Sequence, residues 1–175
     1  MTARAADPAE LLRSCERSAV HLEMRDGYSR TDPMFADWRQ GRRHEPAAWD
    51  AWWRPWTDVV VVARRRGVVI RRARIVSEPV SEYIRWEHEI TAANVKAGED
   101  VRWLPRRRAS DLLLPGNDFW VFDDRVVLWN HFTGEGEIPP GGWEVTEDPA
   151  QVKVCAAAFE PVWDRAVPHG DYRPA

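Results

Sequence analysis

Residues 68–76 read VVIRRARIV and are followed by Ser77-Glu78-Pro79 and then by SEYIRWEHEITAANVKA at 81–97. The first run is apolar and β-branched at both ends with arginines between, the composition of a strand whose centre faces something polar or anionic. In the second, Tyr83, Ile84, Glu87, Ile90 and Ala93 or Asn94 fall at helical spacing and Gly98 supplies the stop. Residues 101–104, bounded by Pro105, read as another strand, and a strand-helix-strand unit calls for a parallel pair joined by a crossover. Two further apolar runs, 119–122 and 126–129, flank Asp123-Asp124-Arg125, a hairpin-turn composition that adds antiparallel strands to the same sheet. The expected architecture is mixed α/β: a four- or five-stranded mixed sheet in strand-helix-strand-hairpin order, flanked by N-terminal and C-terminal helices.

Upstream, Leu11, Cys15, Ala19 and Leu22, with Leu12 alongside, predict one amphipathic helix starting near Asp7-Pro8. Asp32-Pro33 caps a short second helix closed by Gly41, and 46–66 forms a third that Pro55 breaks or kinks before Gly67 ends it. Downstream, 134–142 is a Gly- and Pro-rich loop. Asp148-Pro149 starts a last helix with Val152, Cys155, Ala156, Phe159 and Trp163 on one face. The chain is thus expected to be one domain over 1–175, with a helical part at 1–66, a sheet-forming core at 67–132, and a loop and helix at 133–175.

Its 175 residues suffice for one core, and with 44% hydrophobic and 30% charged residues neither a disordered chain nor a ~20-residue uncharged membrane span fits. The opening residues lack the apolar centre of a signal peptide, so a cytoplasmic protein is expected. Cys15 and Cys155 have no metal-type spacing and are read as reduced, buried thiols. The net charge of −3 divides unevenly: residues 59–110 carry +6 and residues 111–175 carry −8. This asymmetry fits either an anion site or two halves that attract each other, and the acidic tail argues against general nucleic-acid binding. There is no GxxxxGK[ST], GxGxxG, GxSxG, HExxH or CxxC, so the usual nucleotide, serine-hydrolase and zinc signatures are missing and no cofactor or metal is expected.

Three clusters remain for chemistry. Alternation along a strand puts Arg72 and Arg74 on one face with Arg71 on the other, a forked site for phosphate or carboxylate, or a pair of ion-pair partners for Glu87, Glu89 or the acidic tail. Glu78, Tyr83, Arg85 and Glu87 follow on the turn and helix at the strand's carboxyl end, where ligands of open α/β sheets collect. The ligand-binding set is therefore Arg72, Arg74, Glu78, Tyr83 and Arg85. Around the hairpin, Asp118 can orient His131 for proton transfer if the register brings them together. Arg106-Arg107-Arg108 reads as a solvated loop or a phosphate contact, and the tryptophans at 49, 52, 53 and 56, from eleven in the chain, as packing or as a partner surface.

The stretches RRARIVSEPVSEYIRWE (71–87), AGEDVRWLPRRRASDLLLPGNDFWVFDD (97–124) and VVLWNHFTGEG (126–136), with LLRSCERSAVHLEMRDGY (11–28) and AVPHGDYRP (166–174), resemble an actinobacterial family of unknown function. Its members are typically small single-domain proteins beside, or fused to, streptomycete-type helix-turn-helix regulators, so the resemblance implies a regulatory or accessory role and supplies no catalytic residue. The element order also resembles a phospholipase D-like half-domain, whose active members carry His, one residue, then Lys. Both lysines here, Lys96 and Lys153, follow Asn94 and Gln151 instead, so that motif is absent. The expected function is a non-catalytic regulatory module acting through a protein partner, such as a helix-turn-helix regulator, and sensing a small anion. The alternatives are a hydrolase or phosphodiesterase using His131 and Asp118, and direct nucleic-acid binding through 64–74 and 106–108.

Overall fold

In the computed structural model, residues 7–29, 31–42 and 46–175 are described, with the side chains of 46–50 excepted. Trp49 of the expected tryptophan group therefore lies outside the described side chains. The elements are helix α1 (Pro8–Ser14), strand β1 (Ser18–Glu23), α2 (Pro33–Arg39), α3 (Pro46–Arg65), β2 (Val69–Val76), α4 (Glu82–Ala97), β3 (Asp100–Pro105), β4 (Asp118–Phe122), β5 (Val126–Asn130), β6 (Trp143–Thr146), α5 (Pro149–Arg165) and β7 (Val167–Pro168). Among the described residues, seven strands join one sheet in the order β6-β5-β4-β1-β2-β3-β7. β1, β2 and β3 are parallel neighbours, and β4 and β5 run antiparallel as the hairpin composition requires.

The sheet has seven strands, against the four or five expected, and the largest difference is β1. The stripe Leu11, Cys15, Ala19 and Leu22 is not one helix: α1 stops at Ser14, Cys15 is extended, and 18–23 enter the middle of the sheet. A strand flanked by partners and covered on both faces loses the alternation that marks a half-exposed strand, so SAVHLE satisfied a helical template by accident. The N-terminal 66 residues thus supply a central strand as well as helices, and the last segment supplies the edge strands β6 and β7. α3 also runs on through Pro55, with Val59, Val60 and Ala63 buried against the sheet beyond it.

Helices cover both faces. Val152, Cys155, Phe159 and Val162 of α5 pack on Val20, Leu22, Ala73, Ile75, Phe119, Val121 and Val127. Leu12 and Cys15, with the buried face of α3, pack on Ala19, Ile70, Trp120, Phe122 and Leu128 on the other side. The pleat then decides the rest. With Val20, Leu22, Ala73 and Ile75 facing α5, His21, Glu23, Arg72 and Arg74 must face the opposite layer, beneath α3 and α4. Arg71 turns to the α5 side as expected, where its guanidinium donates to Glu160 at 2.9 and 2.7 Å.

The β4–β5 turn fastens the start of β1. Asp123 and Asp124 both adopt left-handed backbone, at φ of 54° and 55°. The Asp123 carboxylate accepts the backbone N–H groups of Glu16 (2.9 Å), Arg17 (2.7 Å) and Ser18 (2.9 Å). Burial opposes its ionisation, but these donors prevail and hold the carboxyl down to about 2. Asp123→Asn keeps the residue type that tolerates this backbone while exchanging an acceptor oxygen for a donor. A loss of about 1–3 kcal/mol is expected by urea denaturation at pH 7. Because the folded value lies below the unfolded one, this stabilisation is present above about pH 4 and fades as pH falls toward 2, so the deficit of the variant should shrink there.

Candidate ligand site

Strand register assembles a charged floor. His21 lies opposite Arg72 on β2 and Trp120 on β4, and Glu23 lies opposite Arg74. Glu23 accepts from Arg72 Nη1 at 2.6 Å and from Arg74 Nε. Arg72 Nε donates to Glu99 Oε2 at 2.8 Å, and the other oxygen of Glu99 accepts from Asn94 Nδ2 at 2.7 Å and from Trp56 Nε1. Arg74 Nη1 donates to Thr91 on α4, whereas Glu87, also on α4, stands 3.6 Å from Arg74 Nη2. The Arg72 guanidinium lies over the rings of Trp120 and Trp56, at 5.2 and 5.6 Å. His21 stacks on Trp120 with ring centroids 4.0 Å apart.

Burial and pairing set the charges. Burial drives His21 well below its ordinary value despite the neighbouring carboxylate of Glu23, so the imidazole is neutral at pH 7. Burial works against Glu23 as well, but Arg74 and Arg72 outweigh it and keep that carboxylate ionised. Glu87 behaves differently. Its burial is only partly offset by an arginine already bonded to Glu23, and its carboxyl is pushed up to about 7. Burial likewise lifts Asp118 to about 7, although it accepts hydrogen bonds from Tyr28 Oη at 2.5 Å and Met24 N–H at 2.9 Å.

Above this floor opens a cavity of about 590 Å³ whose lining includes His21, Glu23, Arg72, Arg74, Glu87 and Asn130 with Tyr28, Tyr83, Trp53, Trp56, Trp120 and Trp143. Arg72, Arg74 and Tyr83 of the expected ligand set meet here. Glu78 and Arg85 do not: Glu78 is exposed and accepts from Tyr172 Oη at 2.9 Å, and Arg85 is exposed on α4. Trp53 and Trp56 are cavity wall, their indole nitrogens bound to Asn94 and Glu99, while Trp52 stacks on Trp53 and lies against the buried Trp86.

The expected Asp118–His131 pair is not formed. Register sets Asp118 opposite Asn130, so Asn130 shares its face and His131, one position on, projects to the other, where Nε2 lies 2.8 Å from Glu144. The histidine at the cavity is His21. It and Glu23 escaped the sequence reading because their segment was taken as helix. Read as a strand, His21-x-Glu23 would have stood out as a polar row matching Arg72-x-Arg74. Of the arginines weighed for nucleic acid, Arg64, Arg66 and Arg106 donate to backbone carbonyls within the fold, and Arg65, Arg107 and Arg108 are exposed.

A family model described as Domain of unknown function (DUF6879) matches residues 6–174. The chain belongs to that family. No curated protein matches it. Among solved structures, this DUF6879 member is similar to Nuc from Salmonella typhimurium, a phospholipase D family member, at 12% identity and a TM-score of 0.53, covering 94% of this chain and 88% of that one. It is also similar to NucT from Helicobacter pylori, at 13% identity and a TM-score of 0.51, covering 91% and 87% respectively. At such identities the likeness is one of fold. The two lysines of the DUF6879 chain are exposed on α4 and α5, and neither lines the cavity.

Proposed function

We propose that the protein is a non-catalytic module that binds a small molecule in the cavity over Arg72 and Arg74 and reports its presence to a protein partner, with a helix-turn-helix regulator as the partner that the family resemblance implies. The supporting observation is the floor itself. Both guanidiniums are matched by Glu23 and Glu99, and the imidazole beside them is neutral. Such a floor offers recognition through fixed, paired groups, and it favours an uncharged ligand over an anion. An aromatic wall with a few fixed polar groups is the ordinary make-up of a small-molecule site.

Three measurements test this reading. The melting temperature should rise when the small-metabolite fraction of a cell extract is added, and bis(p-nitrophenyl) phosphate should not be hydrolysed above background. Turnover that disappears in His21→Ala would replace the reading with an enzymatic one. Affinity capture from the source lysate should return a helix-turn-helix protein, and the absence of any specific partner would remove the regulatory half.

A further inference from the structure

Three atoms on residues that line the cavity stand apart from the satisfied floor. Glu87 Oε2, Asn130 Oδ1 and His21 Nδ1 are buried without a hydrogen-bond partner, on residues only 6, 5 and 5% exposed. His21 Nδ1 does lie 3.3 Å from Glu23 Oε1, so two acceptor oxygens are the ones left with nothing near them to accept from. A buried acceptor without a donor costs about 1–3 kcal/mol, which a ligand that brings donors recovers on binding. Asn130 Oδ1, and Glu87 Oε2 when that carboxyl is ionised, select against a ligand that offers only acceptors.

Charge narrows the class further. Arg72 and Arg74 are matched by Glu23 and Glu99, Glu87 adds a further carboxyl, and among the described residues the cavity's other charged groups are one of each sign, Arg13 and Asp7. A phosphate would find no uncompensated cation on this floor. The walls, by contrast, are flat: indole or phenol rings from α3, β4, β6, α4 and the loop after β1 surround the space. Rings of this kind stack well on heteroaromatic bases, and carboxylate or amide oxygens read exocyclic amino groups.

Resting on the ligand-binding reading above, we propose that the cavity takes a planar, uncharged heteroaromatic ring carrying an amino group, the chemistry of an amino-bearing nucleoside, with Glu87 Oε2 and Asn130 Oδ1 accepting its N–H donors between aromatic walls. The volume of about 590 Å³ lies within the range usual for such ligands.

The full chain is titrated with adenosine and with cytidine by calorimetry and by quenching of tryptophan fluorescence. Purine riboside, which is adenosine without its amino group, AMP and maltose serve as comparisons. At least one of the two nucleosides is expected to bind with a Kd below about 1 mM, AMP no more tightly than adenosine, and purine riboside about tenfold more weakly or worse. Glu87→Gln, checked for folding by circular dichroism, should weaken nucleoside binding about tenfold; Asn130→Ala carries the same test if that variant does not fold. Equal affinity for purine riboside and adenosine, or no binding of either nucleoside, overturns the inference. Binding of maltose alone overturns it while leaving the ligand-binding reading intact, whereas silence from these compounds and from the metabolite fraction removes both.

Discussion

Alanine in place of Glu23 is expected to lower the folding free energy by about 3–5 kcal/mol, measured from urea midpoints at pH 7. Glu23 is 8% exposed and its carboxylate sits between Arg72 and Arg74 of β2. Its loss leaves Arg74 with Thr91 and a carboxyl 3.6 Å away, and leaves Arg72 with Glu99 only. Each guanidinium has already given up its hydration, so an unmatched one cannot recover it without opening the layer beneath α4. Arg74→Ala should cost a similar amount, because it strands Glu23 on a single partner and Glu87 on none. The two variants combined should lose less than the sum of the single losses by about 0.5–3 kcal/mol, since each removes part of what the other leaves unpaired. Single losses under about 1 kcal/mol would mean that water already solvates this floor, and the account of it as a closed ion-pair lattice would fall.

The second large effect is a pH dependence that runs opposite to acid denaturation. Glu87 and Asp118 are both pushed up to about 7 by burial, so the folded protein holds protons that the unfolded chain has released. Stability from these groups is complete below their unfolded values near 4 and is lost as pH rises through about 7, by up to about 3 kcal/mol for Glu87. The charged groups acting on Glu87 are Arg74 and Arg72, which favour its ionisation, and Glu23 and Asp118, which oppose it. His21 pulls the other way below about pH 6.5, where only the unfolded chain takes up its proton. The difference between parent and Glu87→Gln cancels that contribution. The variant's advantage should grow from pH 5 to about 7.5 and then level off in melting experiments. A constant difference across that range would show that Glu87 titrates as an ordinary carboxyl.

How much of this was legible depended on whether a segment's pattern had one physical cause. VVIRRARIV had one: β-branched ends and paired central arginines make sense only on a pleat, and Arg72 and Arg74 share a face beneath α4 while Arg71 leaves for α5. The caps were equally local, with Asp7, Asp32 and Asp148 each accepting a backbone N–H of its own helix. SAVHLE had two causes, because a strand buried on both faces and a helical stripe place similar residues at similar intervals. That single ambiguity hid β1, and with it His21 and Glu23, half of the charged floor. The partner of Asp118 was illegible for another reason. A one-residue step in hairpin register exchanges Asn130 for His131, and the turn composition limits the register without choosing between adjacent faces. Glu99 and Thr91 carry no motif at all; they matter because α4 lays Thr91 against Arg74 and the turn after α4 brings Glu99 to Arg72.

The place of β1 at the centre of the sheet governs the order in which the chain can assemble during synthesis. Its backbone bonds reach β2 on one side and β4 on the other, and the tie from Asp123 to Ser18 spans 105 positions. At ribosomal speeds of roughly 5–20 residues per second, β1 emerges about 5–20 s before its second neighbour exists. For that interval it is a strand with an open edge, whose unpaired backbone groups can pair with another copy. His21 and Glu23, aimed inward in the finished sheet, make that edge a poor template for a foreign strand. The residues that later line a binding cavity thus guard the nascent chain first.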